Sequence, residues 1–123
     1  MSPLILVVDD ELIIQRLVNH TLRILNVELA SALDGQTALE IVRTTRPDLA
    51  LVDINLPDMD GFTLMESFKA LPNMTGVPMV AFTARNDPED EARALALGAE
   101  GLLYKPFSTA ELREMVQRLL PAS

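Results

Sequence analysis

Residues 4–11 read LILVVDDE, a run of branched apolar residues that ends in two adjacent carboxylates, Asp9 and Asp10, with Glu11 behind them. A second apolar run, DLALVD over 48–53, ends in Asp53, and two others end in Thr83 and in Lys105. Two carboxylates about 4 Å apart repel by roughly 4 kcal/mol at an effective dielectric near 20. A third worsens the site unless a cation is present. Hard oxygen donors suit Mg²⁺, which keeps several waters and also takes phosphate oxygens. A carboxylate beside such an ion can attack phosphorus and form an acyl phosphate. The ion, the Lys105 ammonium and the Thr83 hydroxyl would then hold the phosphoryl oxygens, which is the positioning and charge neutralisation that this transfer requires.

These residues meet only if the chain brings the ends of several strands together. Short β-branched runs recur five times, at 4–9, 27–32, 48–53, 77–83 and 101–105. Longer amphipathic segments lie between them and after the last. Ile14, Val18, Leu22 and Leu25 form one apolar stripe, and Leu112, Met115, Val116, Leu119 and Leu120 form another at helical spacing. Ser108 with Glu111 reads as a capping box, and Pro88 suits a first helical turn. Strands alternating with helices predict βαβ units, a parallel sheet and helices on both faces. The reading is one α/β domain over 1–123, a doubly wound (βα)₅ unit with no effector domain. In such sheets ligands bind at the carboxyl ends of the strands, where all five side chains fall.

Composition narrows the function classes. The chain has 123 residues, 49% of them hydrophobic and 23% charged, which fits one domain with a core of its own. A net charge of −8 with 4% aromatics and no Trp gives no basic footprint, so direct nucleic-acid binding is not expected. No apolar run reaches bilayer length, so no membrane insertion is expected. No signal peptide is recognisable. Cysteine is absent, which excludes disulfides and thiolate chemistry, and the expected setting is cytoplasmic.

The stretches VVDDE (7–11), ALDGQTAL (32–39), PDLALVDINLPDMDG (47–61), AFTA (81–84) and GAEGLLYKPF (98–107) together resemble the receiver domain of two-component response regulators, over nearly the whole chain. The resemblance implies a flavodoxin-like five-stranded sheet in the order 2-1-3-4-5. It implies Asp53 as phosphoacceptor and Mg²⁺ held by Asp10, Asp53 and the main-chain carbonyl of Asn55, with Asp9 acting through water. Thr83 and Lys105 would contact the phosphoryl group, and the Lys105–Pro106 bond would be cis. The implied donor is the phosphohistidine of a sensor kinase or a histidine phosphotransfer protein. Phosphorylation would switch the face made by the fourth helix, fifth strand and fifth helix towards a downstream protein or effector domain, and a phosphorylation-dependent dimer is among the implied partners. The chain would catalyse only its own phosphorylation and dephosphorylation.

Plainer readings stand beside these. Asp10 alone would suit the N-cap of the first helix, and Thr83 and Lys105 alone would be ordinary strand residues. Glu11 reads as a first-turn acid, Asp58 and Asp60 as turn residues, and His20, the single histidine, as a partly buried or surface residue. The resemblance breaks at Leu102, where receivers usually carry Tyr or Phe. Tyr104 lies on the same face two residues on, so it is either a displaced aromatic switch or a sign that the usual coupling is absent. Arg85 and Asn55 would tune access of water to the phosphoryl group. Two other function classes fit the residues less well. A Mg²⁺-dependent phosphohydrolase would need an acid where Asn55 stands, and a non-phosphorylated scaffold would be expected to lack one of the acids or the lysine.

Overall fold

The computed structural model describes residues 2–84 and 87–120. Five strands, β1 (Leu4–Val8), β2 (Glu28–Ala32), β3 (Leu49–Asp53), β4 (Met79–Thr83) and β5 (Gly101–Tyr104), alternate with five helices. The helices are α1 (Leu12–Leu22), α2 (Gly35–Thr44), α3 (Gly61–Ala70), α4 (Pro88–Ala96) and α5 (Thr109–Leu119). The strands pair in parallel in the order β2-β1-β3-β4-β5. They are one or two residues shorter than the apolar runs. Pro78 has no N–H for the ladder, and Asp9 and Lys105 leave the sheet for the site.

The uniform apolarity of β1, β3 and β4 has a direct cause. Leu6, Val8, Ala50, Val52, Met79 and Ala81 point to one face and pack under α2, α3 and α4 with Phe62, Leu64, Met65 and Phe68. Ile5, Val7, Leu49, Leu51, Val80 and Phe82 point to the other, under α1 and α5 with Ile14, Val18, Leu22, Leu112 and Val116. Both faces are therefore core, and alternation of side chains leaves polar positions in the three central strands only at their carboxyl ends, Asp53 and Thr83. Burying each such Leu, Ile or Phe contributes about 1.5–3 kcal/mol. The two apolar stripes read from the sequence are the inner faces of α1 and α5, which pack on each other and on the sheet.

Helix starts are fixed by side chains that accept orphan N–H groups. Asp34 accepts from Thr37, Asp60 from Phe62 and Asp87 from Glu89, with Pro88 in the first turn of α4. Ser108 and Glu111 form the expected capping box on α5. The start of α1 differs: Glu11 occupies the N-cap position but makes no side-chain cap. Glu11 as a mere first-turn acid is thus corrected, because its carboxylate reaches Lys105 at the strand ends, and Asp10 is left to the site and not to the cap.

Candidate functional site

Parallel pairing with β1, β3 and β4 side by side delivers their last residues to one edge of the sheet. Asp9 is fully buried just past β1, Asp53 is buried at the end of β3, Thr83 is buried at the end of β4, and Asp10 is exposed beside them. One carboxylate oxygen from each of Asp9, Asp10 and Asp53 lies within 4.8 Å of the others. Lys105 enters from β5 with its side chain only 11% exposed. Its ammonium lies 2.8 Å from Asp9 Oδ2, 3.4 Å from Asp53 Oδ2 and 2.6 Å from Glu11 Oε1. Three carboxylates therefore surround one cation, with Asp10 beside two of them, and the cluster carries an excess of negative charge.

Main-chain bonds aim these groups. The Glu11 N–H donates to Asp9 Oδ1 at 2.9 Å, and the Asn55 N–H donates to Asp53 Oδ1 at 3.1 Å. In each case the other oxygen is turned towards Lys105. The Lys105 N–H donates to the Thr83 carbonyl at 2.7 Å, and the following Lys105–Pro106 bond is cis. Gln15 on α1 donates its side-chain amide to the carbonyls of Val7, Asp9 and Ala32, which ties the helix to the ends of β1 and β2.

The charges respond to this crowding. Burial is the main cause that pushes the Asp53 carboxyl up to about 6, and the neighbouring Asp9 charge adds to it while Asn55 and Lys105 oppose it. Burial likewise raises Asp9, against the pull of Lys105 and the Glu11 N–H. Burial would lower the Lys105 pKa, but its bonds to Asp9 and Glu11 prevail and hold it above the usual lysine range. Asp9, Asp10 and Asp53 put three hard oxygen donors in one corner, which is the chemistry a small divalent cation needs.

The loop after β3 is fixed from both sides. Gly61 starts α3 against the end of β3, and its N–H donates to the Ile54 carbonyl at 2.9 Å. A Cβ there would lie 2.3 Å from the Asp53 carbonyl oxygen. Asp58 accepts the N–H groups of Gly35 and Gln36 at 2.8 and 3.0 Å, which holds its carboxyl below the usual range. It belongs to the turn, as the sequence suggested, but it also bridges the turn to the first residues of α2. Asp60 caps α3 and pairs with Arg93 on α4 at 3.6 Å, while the Arg93 guanidinium lies 4.6 Å from the centre of the Phe62 ring.

Leu102 and Tyr104 share the β5 face that looks towards α4. Leu102 packs against that core, and the Tyr104 hydroxyl donates to Glu91 Oε2 at 3.3 Å. Tyr104 stands opposite Thr83 in the strand register. Arg85 lies outside the described residues, and His20 is an exposed residue of α1. Two further residues complete the site: Glu11, which the sequence suggested only as a first-turn acid, and Gln15, which it did not single out. For Glu11 the available signal was a third acid after a pair; for Gln15 there was none.

Fold and site together define a doubly wound α/β domain with an acidic, lysine-containing cluster at the carboxyl ends of its strands. The chain belongs to the response regulator receiver domain family, whose model matches residues 5–117. It is 38% identical over 97% of its length to the transcriptional regulatory protein PrrA of Mycobacterium leprae, covering 50% of that protein. It thus spans about half the length of the curated relatives it matches. Among solved structures, the chemotaxis response regulator CheY4 of Vibrio cholerae is 32% identical, with a TM-score of 0.91 over 98% of this chain and 100% of that one. The receiver domain of the sensor histidine kinase PA1611 from Pseudomonas aeruginosa, which carries a magnesium ion in its active-site cleft, is 32% identical with a TM-score of 0.87, covering 97% of this chain and 98% of that one. Among the described residues no helix is long and apolar enough to cross a membrane.

Proposed function

We propose that Asp53 is the phosphoacceptor of a two-component phosphorelay and that a phosphohistidine of a sensor kinase or histidine phosphotransfer protein supplies the group. The observation that carries this reading is the Lys105 ammonium 3.4 Å from Asp53 in a corner shared with Asp9 and Asp10. A carboxylate oxygen of Asp53 forms the bond to phosphorus as the donor's P–N bond breaks, and the imidazole leaves with the nitrogen electron pair. Asn55 N–H holds Oδ1, which leaves Oδ2 for attack. Lys105 and the Thr83 hydroxyl neutralise and orient the phosphoryl oxygens. Asp10, Asp53 and the Asn55 carbonyl would hold Mg²⁺ directly and Asp9 through water; when bound, the ion supplies the positive charge that lets an anionic donor approach three acids.

The chain acts once per phosphoryl group and not as a multiple-turnover enzyme on outside substrates. Its output passes in the cytoplasm to a downstream protein or effector domain through α4, β5 and α5, with Tyr104 as a displaced aromatic switch. Some relatives are named as transcriptional regulators, and for this chain a tie to nucleic acid would run through such a partner, since its own surface carries a net charge of −8. Incubation with Mg²⁺ and a small phosphodonor should add one phosphoryl group, read by intact mass, and Asp53→Asn should abolish the gain. A gain that survives Asp53→Asn would reject Asp53 as the acceptor.

A further inference from the structure

We propose that Glu11 is a positioning residue that retains the Lys105 ammonium on the α1 side of the site until a phosphoryl group arrives, an inference that rests on the receiver reading above. An ammonium has three N–H donors, and three carboxylates surround this one. The shortest contact goes to Glu11 at 2.6 Å and the longest to Asp53 at 3.4 Å, so Lys105 leans away from the acceptor. Asp9 cannot yield, because it is fully buried and its other oxygen holds the Glu11 N–H. The Glu11 side chain is 57% exposed at the rim and can turn to water. It is the partner that must let go before Lys105 can donate to phosphoryl oxygens on Asp53.

The cost of that exchange falls on one step only. Release of Glu11 accompanies phosphoryl arrival, so the contact opposes phosphorylation. In the phosphorylated state the contact is already broken, before and during hydrolysis, so Glu11 leaves the rate of phosphate loss unchanged. A merely structural residue would not divide the two rates in this way. An ion pair with one exposed partner is weak, which sets the expected effect at about two- to sixfold.

The test compares the full chain with Glu11→Gln, Glu11→Ala and Glu11→Asp, using acetyl phosphate and Mg²⁺ and following Asp53 phosphorylation and, after donor removal, phosphate loss. All three variants should gain phosphate about two- to sixfold faster and lose it at the wild-type rate. Glu11→Asp keeps the charge but falls one methylene short, so acceleration in Gln and Ala alone would trace the effect to net charge and overturn the clamp. Equal rates in all proteins, or parallel changes in both steps, would overturn it as well. So would a tenfold loss of Mg²⁺ affinity by calorimetry in Glu11→Gln, which would make Glu11 a metal ligand. The ¹⁵N signal of the Lys105 ammonium in metal-free, donor-free protein gives a readout separate from phosphorylation. It should move in Glu11→Gln, and an unmoved signal rejects the clamp even if Asp53 accepts no phosphate, an outcome that by itself rejects only the receiver reading.

Discussion

Asp53 ends a strand that is otherwise wholly apolar, and its carboxyl keeps a proton up to about pH 6 against an ordinary value of 3.8. Between about pH 4 and 6 the folded, metal-free protein therefore binds a proton that the unfolded chain has released. Stability must fall as pH rises through that window, by about 2–3 kcal/mol in total. Asp53→Asn removes the titrating group, so denaturant titrations without metal should show a flatter profile and a more stable variant above pH 6. A variant as pH-dependent as the wild type would assign the loss to other groups. Asp9, Asp10, Asp53, Thr83 and Lys105 were legible in the sequence because strand ends in a parallel sheet share one edge. Glu11 was misread because its partner lies 94 residues away. A contact of that kind depends on how α1 and β5 are placed, which local spacing does not encode.

At the level of elements, the join between β3 and α3 leaves no room for a side chain at Gly61. Gly61 stands where any side chain would press into the Asp53 carbonyl oxygen and, at 2.5 Å, the Ile54 Cα, both backbone atoms that cannot swing aside. Gly61→Ala should cost about 1–3 kcal/mol, measured by chemical denaturation, and should slow phosphorylation because the shift passes into Asp53 itself. A variant with wild-type stability and rate would show that the join can give. The five strands and five helices were readable because period-2 and period-3.6 apolar patterns alternate so cleanly. Strand ends were less readable, since the runs that contain Val27, Pro78 and Lys105 extend a residue or two beyond the strands themselves. The role of Asp58 was half legible: its residue type announced a turn, but its two acceptor bonds to the start of α2 are tertiary.

Across the whole molecule, a cation held at the acidic corner would couple its binding to folding. Whatever ion occupies Asp9, Asp10 and Asp53 binds the folded chain alone, because the unfolded chain holds these acids far apart. Mg²⁺ at about 100 times its dissociation constant should then add about 2.7 kcal/mol, or roughly 10 °C in Tm for a domain of this size. The gain should be large at pH 8 and small at pH 5, where Asp53 is protonated, and Asp10→Asn should remove most of it. An equal thermal shift at both pH values would place the ion elsewhere. The opposite edge of the sheet has a different character. There the Leu4 N–H donates to Asp48 Oδ2 at 2.8 Å, and Asp48 lines one shallow pocket with Pro47, Arg118 and Leu119. The first strand therefore begins, and the last helix finishes, around the same aspartate, on the side remote from Lys105. A short linker between those two points would close the backbone into a ring that could be reopened at a surface loop. A circularly permuted chain of that kind would leave the acidic corner unobstructed.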